Sequence, residues 1–374
     1  MDIGELRKLF PVTQDRVYLN HASVSPPSLR VQEAVGKIVA DIGRRGVPGY
    51  FDWTEFAETE AKSRFARFIG AEREEIAFLK NTTEGIAIVA TGLDWSPGDN
   101  VVSAAIEFPS NALQWVNLKD LGVETRFVPA RDGRVPIEDI ERQMDDRTRV
   151  VALSFVEFLN GFRNNLEAIG RLCRERGILF CVDAIQGLGV FDVDVAGQCV
   201  DFLSCGGHKW LLGFQGIAGF YCRGDLMDRL RIREVGWRSV EGQDDPLGYD
   251  LTPLPTAKRF EGGSENLIGI VGLDAAIGLL QEVGVDFVRD RVKALTDRIV
   301  EGLEDRGYTI MSPRGPDEWS GIVSLQHPEI PFRDLGERLK NAGIELKVRI
   351  DHVRVSPHFY NTSEEVDTFL SALP

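Results

Sequence analysis

Between residues 75 and 222 the chain alternates short apolar runs with amphipathic segments, and this alternation limits the fold more than any other feature. Glu75–Leu79, Asn100–Ala105, Thr125–Val128, Arg149–Phe155 and Ile178–Val182 have strand length and are apolar almost throughout. Helical patterns follow them: Ile86–Ala90, a segment from Ser110, Pro136–Met144 and Leu166–Arg176. Strands apolar on both faces, each followed by a helix, imply a mostly parallel sheet covered on both sides. The expected fold class is therefore α/β, a three-layer αβα large domain over residues 15–265. Residues 266–374 alternate helices and strands as a smaller α+β domain, with residues 1–14 a candidate to pack on it.

In such a sheet, ligands collect at the carboxyl ends of the strands. Thr83, Asp183 and Lys209 all fall at or just beyond strand ends, which puts them on one rim. Asn81-Thr82-Thr83-Glu84 opens a helix and reads equally as an anion site or as an ordinary N-cap. Asp183 ends an apolar strand, where a carboxylate serves either as an N-cap or as a ligand. Lys209 follows Cys205-Gly-Gly-His208 in a glycine-rich turn; alone, it would pass for a solvated surface lysine. His21 stands in a short strand-like run before Pro26-Pro27 and fits either a turn or a site wall. From Gly46 to Trp53 the pattern predicts a loop whose aromatics form a lid or interface or, equally, pack Trp53 into the core, with a helix starting only at Thr54. Another irregular stretch covers residues 223–260.

Composition narrows the partners. A net charge of -15 argues against nucleic acid and against an anionic membrane surface as general partners, though not against a small anion in a positive pocket. No apolar run reaches membrane-spanning length, and the first residues lack a basic, then apolar, export pattern. The five cysteines, Cys173, Cys181, Cys199, Cys205 and Cys222, have no metal-type spacing, so no metal site is expected and the thiols are expected reduced in a cytoplasmic protein. No Gly-x-Gly-x-x-Gly follows the first strand, which disfavours a dinucleotide-dependent dehydrogenase.

Five ordered motifs then converge: Asn81-Thr-Thr-Glu-Gly85, Val182-Asp-Ala-Ile-Gln-Gly187, Ser204-Cys-Gly-Gly-His-Lys-Trp210, Arg259-Phe-Glu-Gly-Gly-Ser264 and Arg354-Val-Ser-Pro-His-Phe-Tyr-Asn-Thr362. Along essentially its whole length the chain resembles fold-type I enzymes of the class V aminotransferase family that depend on pyridoxal 5'-phosphate (PLP), in particular the cysteine desulfurase and isopenicillin-N-epimerase-like branch. The resemblance implies that Lys209 forms the Schiff base with PLP and then moves the Cα proton as general base, and that Asp183 keeps the pyridine nitrogen protonated. It implies further that Gln186 bonds the phenolic oxygen and that Phe108 stacks on the ring. Thr83, His208 and Thr82 would hold the phosphate, with Ser204 a possible substitute for the serine that is Gly206 here. In a homodimer with shared active sites, Ser264 would reach the neighbouring subunit's phosphate. Arg354 would clamp the substrate carboxylate, with Arg349 the next candidate; Trp237, Arg238, Trp53 and His21 are weaker pocket candidates.

Two departures bear on the reaction. Group II desulfurases carry a catalytic cysteine on a loop between two arginines, whereas here only Ile350-Asp-His-Val353 separates Arg349 from Arg354, and no cysteine follows Cys222. The asparagine expected after the third strand has no plain counterpart among Glu157, Phe158 and Asn160. The resemblance thus implies an enzyme acting at Cα of an amino acid, by C–S β-elimination or by epimerisation. The alternatives are transamination to a keto acid and a non-catalytic PLP-fold protein.

Overall fold

The apolar runs do become neighbouring strands. In the computed structural model, which describes residues 2–242, 245 and 247–374, seven strands form one sheet in the order Ile76–Leu79, Ala218–Cys222, Phe202–Gly206, Leu179–Asp183, Thr148–Ser154, Asn100–Ala104, Glu124–Val128. All neighbours are parallel except Ala218–Cys222, which runs antiparallel to both of its own. Every residue of the inner strands Leu179–Asp183 and Phe202–Gly206 is buried, as continuous apolar strands require when helices cover both faces. The edge strand Glu124–Val128 is the exception and carries the polar residues Glu124, Thr125 and Arg126.

A second, antiparallel sheet holds Lys347–Val348, Val353–Val355, Val323–Gln326 and Thr309–Ile310 in that order. Its core combines Leu295, Ile299, Leu325, Val353, Val355 and Phe369. The N-terminal segment ties this sheet to the site. Val17–Tyr18 pairs in parallel with Ile344–Glu345, and Asn20 bridges Ser356. Ala22 and Ser23 are thereby carried to the rim of the large sheet.

One expectation fails locally. The stretch from Gly46 to Trp53 is not a loop: a helix spans Val47–Phe56 and continues through a π-helical turn, Ala57–Ala61, into Lys62–Ile69. Gly46, at φ 63°, turns the chain out of the helix Leu29–Arg45, and Pro48 stands in the new first turn, where a missing N–H costs nothing. Trp53 donates from Nε1 to Asp41 Oδ2 at 3.1 Å, so it packs against the preceding helix. The polar loop expected after Glu241 includes positions 243, 244 and 246, which lie outside the described residues. Among the described residues, no single helix is long and apolar enough to cross a membrane.

Candidate active site

At the carboxyl end of the large sheet lies a cavity of about 270 Å³. Asn81, Thr82 and Thr83 line one wall, from the start of the helix Thr82–Gly92; Phe108 and Ser110 stand beside them. Asp183, Ile185, His208 and Lys209 line it as well, together with Ala22, Ser23, Lys347 and Arg349. The expected strand-end residues therefore do meet.

Asp183 is buried at the end of its strand; one carboxylate oxygen accepts from the Ile185 N–H at 3.0 Å. Burial raises its pKa to about 6, against the pull of that N–H and of Lys209. Lys209 is 8% exposed, and its Nζ lies over the Phe108 ring, 5.4 Å from the centroid. Burial lowers its pKa to about 8; Asp183 opposes this, and Arg354 and Arg349 add to it. A lysine so placed is largely available as a free amine at mildly alkaline pH. Burial also takes His208 down to about 4, so its imidazole is neutral.

At the other wall, Asn81 caps the helix Thr82–Gly92 by accepting from Glu84 N at 2.9 Å. Thr82 Oγ1 accepts from the Gly206 N–H at 2.9 Å, and Thr83 Oγ1 donates to Ser110 Oγ at 2.9 Å. A Cβ on Gly206 would come within 3.0 Å of Ile185 Cδ1 and 3.2 Å of Thr82 Oγ1. The glycine thus keeps the floor beneath the helix start open, where a serine would crowd it. These features fit PLP: a buried carboxylate for a ring N–H, an aromatic face, a free amine between them, and a helix N-terminus for a phosphate.

Other expected residues stand behind the wall rather than on it. Ser204 Oγ donates to Thr82 O at 3.1 Å and props the helix start from below. Gln186 is buried between the Ala22 carbonyl, to which it donates, and the Trp210 indole, from which it accepts. His21 is fully buried, its Nδ1 bonded to Ser356 O and its Nε2 to Tyr360 Oη, and burial drives its pKa well down. Arg354 is also fully buried, one layer back, donating to Phe158 O at 2.8 Å and to Ser23 Oγ at 3.0 Å, with Nε unpartnered. Trp237 is 58% exposed, and Ser264 lines a separate cavity of about 320 Å³ with Lys80, Glu84 and Glu261. Arg238 is buried against Glu58 and Glu265.

Two groups escaped the reading of the sequence. Lys347 lines the cavity with Arg349; their i, i+2 spacing puts both on one side of an extended segment, a signal that was available. Glu107 was hidden beside Phe108. It accepts from both Ser154 N and Ser154 Oγ at 2.6 Å, and Asn164 links Ser154 O to the equally buried Glu157. Burial lifts Glu107 to about 7, with Asp183 adding to the rise, and raises Glu157 well above the carboxylate range.

Because Glu107 binds its proton more tightly folded than unfolded, its contribution to stability is present below pH 4 and lost as pH rises through 7. Removing that titration should make Glu107→Gln gain on the wild type by about 3 kcal/mol between pH 4 and 8. Denaturant unfolding of cofactor-stripped protein across that range measures the difference, and a pH-independent difference would contradict it.

Comparison with known proteins agrees with this geometry. The model of the family described as "Aminotransferase class-V" matches residues 17–369. A probable cysteine desulfurase of Pyrococcus abyssi is 32% identical over 392 residues, covering 99% of this chain and 96% of the relative. The apo structure of a cysteine desulfurase from Thermococcus onnurineus NA1 superposes with a TM-score of 0.91 at 30% identity, covering 98% and 96% of the two chains. The cystine C–S lyase C-DES, in complex with cysteine persulfide, shares the fold at a TM-score of 0.90 and 23% identity, over 97% of this chain and 98% of its own.

Proposed function

This chain belongs to the aminotransferase class-V family and is a PLP-dependent enzyme, and from that premise we propose that it breaks the Cβ–S bond of a sulfur amino acid by β-elimination, releasing the sulfur in solution. The relatives named as cysteine desulfurases point to sulfur chemistry. The observation that carries the mode of release is that the cavity holds a buried amine, Lys209, and no cysteine among its lining residues. All five cysteines are buried, and burial raises the thiols of Cys173, Cys181, Cys205 and Cys222. A buried, protonated thiol is a poor nucleophile, so none is suited to carry a persulfide.

PLP, when bound, supplies the electron sink that acidifies the Cα–H bond. Asp183 would accept a hydrogen bond from the ring N–H and hold that proton in place. Phe108 would fix the ring plane, and Thr82, Thr83 and His208 would hold the phosphate, with Ser204 and Gln186 supporting them from behind. Lys209 Nζ takes the Cα proton. As the Cβ–S bond breaks, its electron pair leaves with sulfur as thiolate, and one water completes the conversion of the carbon skeleton to pyruvate and ammonium. Arg354, which stands behind Ser23, would meet the α-carboxylate through the Ser23 hydroxyl it donates to.

The test is to supply holoenzyme with S-substituted cysteines and no keto acid. Equal yields of thiol and pyruvate are expected; product formation that requires a keto acid would identify an aminotransferase instead, and inversion at Cα without pyruvate an epimerase. Cys205→Ala should keep most of the turnover, and intact-mass analysis should find no persulfide on the working enzyme. Loss of turnover in Cys205→Ala with retained fold would contradict release into solution.

We also read the protein as a cytoplasmic homodimer. Leu247, Tyr249, Leu251 and Trp237 are exposed apolar groups, 75%, 80%, 72% and 58% accessible, as expected of a surface covered by a second copy. In that arrangement Ser264 reaches the partner's phosphate. Sedimentation equilibrium at twice the chain mass is the expected result.

A further inference from the structure

Apart from the phosphate that Thr82, Thr83 and His208 would hold, the cavity carries more positive charge than a simple amino acid uses. Lys209, Lys347 and Arg349 line the cavity, against one carboxylate, Asp183, in a chain of net charge -15. Arg354 stands directly behind. Lys347 and Arg354 are cross-strand partners in the small sheet. The Arg349 guanidinium lies over the Phe158 ring, 5.3 Å from its centroid, and Phe158 packs edge-on against Phe108, so this cluster borders the face of the ring-stacking residue.

No carboxylate neutralises the cluster. Among the described residues neither Lys347 nor Arg349 forms an ion pair, and Arg349 Nε is buried without a hydrogen-bond partner. The nearest acids along the chain are engaged elsewhere: Glu345 accepts from Asn20 and lies 3.9 Å from Arg16, and Asp351 is bonded to His352 Nδ1 at 2.8 Å. Keeping like charges together beside a cavity is costly unless an anion joins them. A monocarboxylic amino acid brings one carboxylate, and one guanidinium, that of Arg354, suffices for it.

We propose that Lys347 and Arg349 form a second anion subsite, which selects amino acids whose sulfur substituent ends in a carboxylate or sulfonate. This rests on the C–S lyase reading for the identity of the scissile bond, but the subsite itself is defined by the wall. The anion lies on the leaving-group side, beyond sulfur, and stays with the thiolate when the Cβ–S bond breaks. The shape of the pair suits this: Lys347 is exposed at the mouth and Arg349 half-buried inside it, a path along which a charged product leaves into water.

Two measurements on holoenzyme test it. Calorimetric titration compares L-glutamate and L-cysteate with L-norvaline and L-alanine; turnover compares S-carboxymethyl-L-cysteine with the near-isosteric S-isobutyl-L-cysteine. The anionic member of each set should be favoured about tenfold, as for a pair of partly exposed cations meeting one anion. Lys347→Met, at an exposed position that tolerates the change, should cut that ratio several-fold, and Arg349→Met likewise. Equal affinity for anionic and neutral ligands overturns the subsite, and so does a preference that survives both substitutions. If the binding preference holds and weakens in Lys347→Met while neither conjugate yields pyruvate, the subsite stands and the lyase reading falls.

Discussion

Lys209→Ala should lower turnover by at least about 10³-fold and abolish the visible absorption of covalently held cofactor, while the protein remains folded. The expectation follows from what surrounds the amine. Nζ has a neutral-to-cationic transition near pH 8, the Phe108 face within reach, and Asp183 as the one facing carboxylate. Nothing else on the cavity wall can replace it as a base. Among the described lining residues His208 is the one neutral imidazole, and it stands beside Gly206 rather than over the Phe108 ring, where the Lys209 amine lies. Folding should not suffer. A lysine whose folded pKa is depressed contributes stability above pH 10.5 that is lost as pH falls through 8, so the wild type carries a buried ammonium at neutral pH. Alanine removes that burden, and the thermal midpoint of the cofactor-free variant at pH 7 should equal or exceed that of the wild type. A variant that keeps even a tenth of the wild-type rate would sink the assignment. A variant that loses activity and unfolds together would reassign Lys209 to structure.

How far the sequence revealed this site depends on which force positions each residue. Asp183 was legible as a carboxylate ending a buried apolar strand, with an N-cap as its other reading; Lys209, three residues past its strand, would alone pass for a surface lysine and became legible through the motif Ser204–Trp210 and the strand ends gathered on one rim. Thr82 and Thr83 were half-legible: Asn81 does cap the helix, and that helix start lines the cavity, so the N-cap reading holds without removing the other one. Arg354 was legible as a charged residue in a motif but not as one buried behind Ser23, because its depth depends on the N-terminal segment crossing the small sheet some 330 residues away in sequence. Glu107 and Glu157 were not legible at all. Their burial comes from three separate strand ends meeting, and a carboxylate in a loop gives no local sign that it will be dehydrated. The helix Val47–Phe56 was missed for a different reason. Aromatics and glycine weaken helix propensity locally, and packing against the helix Leu29–Arg45 overrides it.

Asp183→Asn should cost about 100-fold in kcat/KM and weaken cofactor binding, yet stabilise the cofactor-free protein above pH 6. The two effects have one origin. In the wild type, Asp183 is dehydrated and held at a pKa of about 6, with a single N–H from Ile185 to support its charge. A carboxyl group with a raised folded pKa contributes stability below its unfolded value near 4, which is lost as pH rises through 6. At pH 8 the free protein therefore bears the cost of an ionised, poorly solvated group. A cofactor ring N–H⁺ would repay that cost, because a charge-assisted hydrogen bond in a buried setting is worth about 3 kcal/mol, equivalent to the 100-fold loss predicted. Asparagine preserves the shape and the acceptor for Ile185 N–H but brings no charge, so the cavity loses its reason to bind a protonated ring and gains stability when empty. Opposite shifts of the unfolding midpoint with and without PLP, measured at pH 8, are the expected signature. If both midpoints fell together, Asp183 would be a cap of the following turn and not the partner of the cofactor.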